Sequence, residues 1–248
     1  MKYVLVTGYP ENDEAAQMEV MDESGSTKIC KNPKSKYPLQ VSSATGVYTE
    51  GRMIVCGGCC PINITACYSY GDDQQGWTKL ADMDTPRHDS SSIAIPGGIL
   101  VTGGSSSYER EKTSEQIFLN GTVKYGKPLP EPRDGHCMVE YNGQVISTGG
   151  SHGGYNPTYD VWSFNNHVEF TFTNMSRMNY ARYWHGCGIV HSKQHQDRPL
   201  LIVAGGYGDG WDKSEYLDFT LPGSQWQLCS KSSSFLKSFE IAIFCNAE

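Results

Sequence analysis

Four apolar segments of the chain end in the same pair of glycines. The segments are MIVCGG, ILVTGG, QVISTGG and LLIVAGG, and their first glycines are Gly57, Gly103, Gly149 and Gly205. The intervals between these glycines are 46, 46 and 56 residues, a period typical of proteins that are built from repeated structural units. The sequence therefore predicts a modular array in which each unit contributes one supersecondary structure.

The residues around each glycine pair predict four short strands per unit. A strand and a hairpin turn, such as YNG at 141–143, precede the apolar segment. A polar loop follows the pair, then an alternating aromatic strand such as YDVWSF and a further strand such as GWTKLADM. The glycine pair closes the second strand, because only glycine tolerates a sharp turn with positive φ and close backbone approach.

Three arginines occupy the same place at the start of three units. Two of them precede the next glycine pair by 16 residues, and the third precedes it by 23. The seven extra residues lie in the hydrophilic segment SKQHQDR at 192–198, which predicts a longer turn between intact strands. The arginines are Arg87, Arg133 and Arg182.

The unit resembles the Kelch repeat, which forms one blade of a Kelch-type β-propeller. The glycine pair, the aromatic strand about ten residues later and the fourth-strand tryptophans Trp77 and Trp226 match that motif, whereas the fourth strand TVKYG lacks the tryptophan. The resemblance covers almost the whole chain and implies an all-β propeller of four-stranded antiparallel blades. The cysteine-bearing segments CGG and HCMV are most similar to secreted Kelch-repeat proteins of invertebrates.

The positions of the terminal segments within the four-stranded repeat predict a ring of five blades in one domain, 1–248. Residues 3–8 align with a second strand and residues 239–244 with a first strand, so their pairing would close the ring and leave no open edge. Kelch propellers more commonly have six or seven blades, and a fragment of a larger propeller is the alternative. The expected blades are 1–36 with 237–248, 37–86, 87–132, 133–181 and 182–236.

Charge and hydropathy exclude two classes of partner. The net charge is −7 and the basic residues are scattered, which argues against nucleic acid as a partner. The longest apolar runs, such as LLIVA at 200–204, are about a quarter of a membrane span, so no membrane insertion is expected. Residues 1–6 contain too few apolar residues for a secretory signal.

The cysteines and sequons favour an extracellular location nonetheless. Nine cysteines are many for an intracellular domain, and Cys56 and Cys67 face each other across a predicted hairpin, which predicts a disulfide; the pairing of the others is left open. Cys56 and Cys59 also have the spacing of a zinc or thiol-exchange motif. Three glycosylation sequons point to the secretory pathway as well. They begin at Asn63, Asn120 and Asn174.

Catalysis is not expected, and no cofactor or metal is predicted. His136 and His185 each follow an arginine by three residues, and such repeated positions indicate a structural role; a polar ring that includes His88 is the alternative. A galactose-oxidase-like copper site is the enzymatic alternative, because that fold is also a Kelch-type propeller. Its two histidines, two tyrosines and one cysteine would need to converge, and no local motif of this chain arranges them.

The loops of one propeller face predict a binding surface for a protein or a glycan. Loops between the second and third strands emerge on the same face as the connections between blades. Aromatic and arginine side chains in such loops are typical of binding hot spots, although solvated loops without a ligand are the simpler interpretation. A cytosolic interaction propeller is the alternative to an extracellular module, and the sequence does not identify the ligand. The candidates are Tyr108, Arg110, Tyr155, Tyr207 and Trp211, with Arg87, Arg133 and Arg182 from the connections.

Overall fold

The computed structural model of the chain describes residues 20–21, 27–28, 37–39, 41–59, 62–71, 76–106, 109–153, 156–165, 171–192 and 195–229. These residues form twenty β-strands and contain no α-helix, which confirms the all-β prediction. Within the same residues, no helix is long and apolar enough to cross a membrane.

The chain divides into an N-terminal unit, Met1–Asp134, and a C-terminal unit, Gly135–Glu248. Each unit contains two four-stranded antiparallel sheets, whose strands follow one another in chain order. We number these sheets as blades I to IV along the chain. The N-terminal unit also contains a small ribbon of β1 (Val20–Met21) and β2 (Thr27–Lys28).

Blades I and II are the two four-stranded sheets of the N-terminal unit. Blade I consists of β3 (Thr45–Thr49), β4 (Arg52–Cys56), β5 (Ala66–Gly71) and β6 (Thr78–Asp82). Blade II consists of β7 (Ser91–Ile95), β8 (Gly98–Thr102), β9 (Ser114–Phe118) and β10 (Val123–Tyr125).

Blades III and IV belong to the C-terminal unit. Blade III consists of β11 (Cys137–Tyr141), β12 (Gln144–Thr148), β13 (Val161–Asn165) and β14 (Thr173–Asn174). Blade IV consists of β16 (Gly186–Ser192), β17 (Arg198–Ala204), β19 (Ser214–Leu217) and β20 (Gln227–Leu228). A separate ribbon pairs β15 (Arg182–Tyr183) with β18 (Tyr207–Gly208).

The strand order explains the apolar pattern of the sequence. The second strand of each blade has neighbours on both sides and is the most buried, with all five residues of β8 buried, so it is apolar without alternation. The fourth strands of blades II, III and IV are short, and both residues of β14 and of β20 are exposed. The predicted turn at 141–143 is confirmed, with Asn142 and Gly143 both at positive φ as a two-residue hairpin requires.

The core of each unit lies between its two blades. In the C-terminal unit it combines Ile146 and Val161 of blade III with Leu201 and Leu217 of blade IV. Trp226 packs into the same cluster, so this tryptophan of the motif lies between blades III and IV. Trp77 is half-buried, with its ring centroid 4.9 Å from that of Tyr37 and 5.5 Å from that of Tyr70.

The glycine pairs are required by two features of the backbone. All eight of their residues have positive φ, between 56° and 101°, a conformation that side chains with a Cβ disfavour. A Cβ on Gly57 would lie 2.4 Å from the carbonyl oxygen of Arg87, and one on Gly149 would lie 2.4 Å from that of Arg182. The predicted reason for the repeated glycines, positive φ with close backbone approach, is therefore confirmed.

The structure contains the predicted disulfide and one that was not predicted. Cys56 and Cys67 are bonded across β4 and β5. Cys137 and Cys187 are also bonded and connect the first strands of blades III and IV. Cys59 is disulfide-bonded as well, so Cys56 and Cys59 are not the pair of free thiolates that a zinc site would require.

The prediction of ring closure concerns residues outside the described part of the chain. Residues 3–8 and 239–244 both lie there, so the five-bladed ring stays a prediction. The other four predicted blades correspond to blades I to IV.

Candidate binding surface

In blades I, II and IV, one further backbone contact lies beyond the glycine pair. The residue after the pair forms a β-bridge with the second residue of the segment that leads into the blade. These bridges join Ser42 to Cys59 in blade I and His88 to Ser105 in blade II. In blade IV the bridge is extended into the β15–β18 ribbon, where Tyr183 pairs with Tyr207. Backbone pairing therefore fixes the start of the loops that follow these glycine pairs.

The three arginines in register are buried, so their prediction as ligand-binding residues is wrong. Arg87, Arg133 and Arg182 are each fully buried. Two of them use their guanidinium groups inside the blade: Arg87 donates to the carbonyl of Gly103 at 2.8 Å, and Arg182 to that of Gly205 at 2.9 Å. A repeated arginine at the start of a blade thus fixes the glycine turn and offers no surface to a partner.

Two of these arginines form buried ion pairs that also secure the preceding connection. Arg87 contacts Glu115 at 2.6 Å, and the same carboxylate accepts the backbone N–H of Asp84 at 2.7 Å. Arg182 contacts Glu215 at 2.9 Å. Burial lowers the pKa of Arg182, and the charge of Glu215 opposes that shift. Arg133 lies 3.7 Å from the carboxylate of Glu131.

The two histidines in register are buried in the C-terminal unit. The Nε2 atom of His185 lies 2.8 Å from the hydroxyl of Thr148, so His185 connects blade IV to blade III. The pKa of His185 is well below the usual value. Burial is the main cause, and the charges of Arg182 and His136 add to the shift because they disfavour a positive charge on His185. These features support the structural interpretation of His185. His88 is partly exposed, 3.7 Å from the carboxylate of Asp89.

One position of the repeat has a left-handed backbone in all four blades. It is the third residue of the segment that leads into each blade, and its φ lies between 52° and 58°. Within each unit the position connects adjacent blades: the N–H of Asp89 donates to Ser43, and that of Trp184 donates to Gly135 at 2.7 Å. The four residues are Ser43, Asp89, Gly135 and Trp184.

Trp184 is the important residue that the sequence interpretation missed. A left-handed backbone favours glycine, asparagine and aspartate and is an outlier for a bulky side chain. A Cβ on Gly135 would lie 2.6 Å from Cδ1 of Trp184, so the indole rests on the glycine of the preceding blade. Alignment of Trp184 with Asp89 and Gly135 would have placed it next to the predicted loops.

Three exposed aromatic side chains lie on or beside the β15–β18 ribbon. Trp184 is 40% exposed, Tyr207 59% and Trp211 47%. The buried ring of Tyr183 lies between two of them, with centroid distances of 4.7 Å to Trp184 and 5.3 Å to Tyr207. Trp211 follows in a turn in which its N–H donates to Gly208 at 3.4 Å. We call Tyr183, Trp184, Tyr207 and Trp211 the aromatic surface.

The corresponding loop of blade II is polar. The hydroxyl of Ser105 donates to the carboxylate of Asp134 at 2.7 Å, and Nε of Arg110 forms an ion pair with the same carboxylate at 2.8 Å. Arg110, a predicted ligand-binding residue, is thereby tied into the loop. The predicted residues Tyr108 and Tyr155 lie outside the described residues. Of the eight predicted ligand-binding residues, the aromatic surface contains Tyr207 and Trp211.

The predicted glycosylation sites lie at three different places. Asn63 is half-buried in the loop after the glycine pair of blade I, whereas Asn120 and Asn174 are exposed. The Oδ1 atom of Asn120 accepts the backbone N–H of Thr122 at 3.0 Å in the β9–β10 turn. Their modification stays a prediction. Among the described residues, no group of three or more histidine, cysteine or acidic side chains is arranged to hold a metal ion.

Comparisons with known proteins agree with this architecture. No protein-family model matches the chain. The chain is 27% identical over 155 residues to an F-box/kelch-repeat protein of Arabidopsis thaliana, covering 60% of this chain and 40% of the relative. It is 27% identical over 113 residues to beta-scruin of Limulus polyphemus, covering 42% of this chain and 12% of the relative. The matches thus span less than half the length of either relative.

A solved structure has the same fold. The structure of YjhT matches with a TM-score of 0.65 and 18% identity, and the match covers 79% of this chain and 67% of YjhT. The Kelch-repeat relatives, the propeller-like solved structure and the four four-stranded blades with their glycine pairs lead to one conclusion. The chain is similar in sequence to Kelch-repeat proteins and has the fold of a Kelch-type β-propeller.

Proposed function

We propose that the chain is a non-catalytic binding module that recognises a partner protein through the aromatic surface of blade IV. The observation on which this proposal rests is the grouping of Trp184, Tyr207 and Trp211, all at least 40% exposed, around one short ribbon. Tryptophan and tyrosine are enriched among residues that dominate protein–protein affinity. Scattered exposed aromatic residues need no explanation, but a group on a fixed backbone indicates an interaction site.

The backbone at Trp184 supports the same proposal. Its φ of 53° costs about 1–2 kcal/mol for a residue with a Cβ, while the exposed part of its indole contributes nothing to the core. Strained residues of this kind are concentrated at functional sites. Ser43, Asp89 and Gly135 occupy the position in the other blades, so the fold itself does not require a tryptophan.

The proposal of a non-catalytic role rests on how the polar residues are used. His185 is buried against Thr148, and Arg87 and Arg182 are bound by Glu115 and Glu215. These side chains are occupied in joining blades, which argues against the galactose-oxidase-like alternative.

Capture experiments test the binding role. The wild-type chain, immobilised through its N-terminus, would be compared with the double variant Tyr207→Ala, Trp211→Ala and with Asn142→Gly, a control in the β11–β12 turn. Captured proteins from cell extract and culture medium would be quantified by mass spectrometry. We expect the double variant to lose at least about 2 kcal/mol of affinity, the usual threshold of a hot spot. Identical proteins captured by wild type and double variant would refute the proposed surface.

We further propose an extracellular location, with a cytosolic interaction propeller as the alternative. The disulfides Cys56–Cys67 and Cys137–Cys187 support it, because disulfides persist mainly in oxidising compartments. Peptide mapping of the native protein without reduction tests this point. Bridged peptides, with sugar on Asn120 or Asn174, are the expected result, and free thiols at all four cysteines would contradict it.

A further inference from the structure

We infer that the aromatic surface binds a cationic segment of the partner protein, with an arginine or lysine side chain held between Trp184 and Tyr207. The inference rests on the proposed function and names the chemistry of its ligand. It follows from the arrangement of the rings, from the charges beside them and from the rigidity of their backbone.

Two exposed rings, those of Trp184 and Tyr207, each pack against the buried ring of Tyr183. Tyr183 is buried, and the planes of Trp184 and Tyr207 are tilted by 57° and 55° to its ring. The faces of aromatic rings are electrostatically negative. A cation within about 6 Å of a ring centroid is attracted to the face, and tryptophan and tyrosine are the strongest partners. A cationic side chain that reaches this surface would contact the exposed rings of Trp184 and Tyr207.

The charges of the ribbon and its turn favour a cation as well. Asp209 is exposed in the turn between Tyr207 and Trp211. The cation of this turn, Lys213, is 3.0 Å from the carboxylate of Asp212. Arg182 is fully buried beside Glu215. With the chain carrying a net charge of −7, a basic partner segment is attracted and an acidic one repelled.

The surface is held in place before any ligand arrives. The N–H of Trp184 donates to Gly135 at 2.7 Å, and the guanidinium of Arg182 donates to the carbonyl of Gly210 at 3.1 Å beneath the turn. Tyr183 and Tyr207 are paired in the ribbon. Rigid aromatic side chains bind with little loss of conformational entropy, so the fixed backbone favours binding at this surface.

The test uses four defined probes: nonaarginine, nonalysine, nonaglutamate and the glycan chitotetraose. Binding of fluorescein-labelled probes is followed by anisotropy at 50 mM and 200 mM salt. The binding site of each probe is located by fluorine NMR of the chain labelled with 5-fluorotryptophan. The chain has five tryptophans and hence gives five assignable signals. We expect the two cationic peptides to bind and to shift the signals of Trp184 and Trp211, while Trp162 and Trp226 are unchanged.

Variants separate stacking on the rings from attraction by net charge. Trp184→Asn suits the left-handed backbone and should weaken nonaarginine binding at least tenfold. Asp209→Asn should weaken it a few-fold and reduce its salt dependence. Tyr125→Ala, at an exposed aromatic residue of β10 in the N-terminal unit, is the matched control and should bind as the wild type does.

The outcomes distinguish this inference from the proposed function. Equal nonaarginine binding by wild type and Trp184→Asn would show attraction by net charge alone and overturn the inference. Signals of Trp184 that shift only with chitotetraose would overturn it too, and would assign the surface to a glycan. If nonaglutamate binds most tightly, the ligand is anionic and the inference of a cationic ligand is wrong. In each of these cases, loss of captured proteins in Tyr207→Ala, Trp211→Ala would still support the aromatic surface as a binding site.

Discussion

Replacing Glu115 by glutamine tests whether buried ion pairs secure the connections between blades. Glu115 is fully buried and accepts hydrogen bonds from Arg87 at 2.6 Å and from the backbone of Asp84 and Thr85 at 2.7 and 3.2 Å. Glutamine has nearly the same shape and keeps one acceptor oxygen. It removes the charge that balances Arg87, whose other partners, such as the carbonyl of Gly103, are neutral.

The expected cost follows from the burial of both charges. Removing one partner of a buried ion pair costs about 3–5 kcal/mol, because the other charge stays buried without compensation. Glutamine still accepts a hydrogen bond, so we expect about 3 kcal/mol for Glu115→Gln. Alanine would also leave backbone N–H groups of Asp84 and Thr85 without an acceptor, at about 1–3 kcal/mol each. We therefore expect Glu115→Ala to cost more than Glu115→Gln.

Urea unfolding of the full-length chain, followed by circular dichroism, measures both values. The double variant Arg87→Met, Glu115→Leu is the control, because it lacks the acceptor for Asp84 and Thr85 as Glu115→Ala does but leaves no buried charge without compensation. Blade I has Val41 where blade II has Arg87, so a blade forms without the arginine. A cost below about 1 kcal/mol for Glu115→Gln, or a double variant less stable than Glu115→Ala, would refute the role of the pair.

Three further predictions concern stability. His185 has a lowered pKa because it is buried beside Arg182 and His136, so its contribution to the free energy of unfolding is complete above pH 6.5 and is lost as the pH falls. In urea titrations the wild type should lose up to about 1.4 kcal/mol of this free energy per pH unit below pH 6.5. His185→Gln should lose less. Replacing both Cys137 and Cys187, which are 50 residues apart, by serine should lower the free energy of unfolding by about 4 kcal/mol in calorimetry. Removing the blade I disulfide, which closes an 11-residue loop, should lower it by about 3 kcal/mol. Trp226→Ala should cost about 3–5 kcal/mol in the same assay, and a loss under 1 kcal/mol would contradict its burial between blades III and IV.

The local features of the fold were predictable from the sequence. The glycine pairs, the hairpin turn at Asn142 and the disulfide Cys56–Cys67 depend on residues that are close along the chain or opposite each other in one hairpin. The longer turn at 192–198 was predictable for the same reason, since its hydrophilic residues leave the register of β16 and β17 intact up to Ser192 and Arg198.

The features that depend on contact between blades were not predictable in this way. The disulfide Cys137–Cys187 joins strands of two blades, and the spacing of cysteines along the chain does not reveal which blades meet. The burial of Arg182 was missed for another reason: it depends on Glu215 of the same blade, 33 residues later, whose role is not evident from an isolated acidic residue. Trp184 was missed because its position is defined by backbone conformation, which only the aligned repeats reveal.

Site-specific photocrosslinking tests the proposed binding surface most directly. p-Benzoylphenylalanine would replace Tyr207, which is exposed on the β15–β18 ribbon, and separately Asn142 in the β11–β12 turn. Irradiation in the presence of proteins captured by the wild-type chain should give covalent adducts at position 207, and the crosslinked peptides should be rich in arginine or lysine. Position 142 should give none. Adducts at position 142 with none at position 207 would contradict the assignment of the aromatic surface.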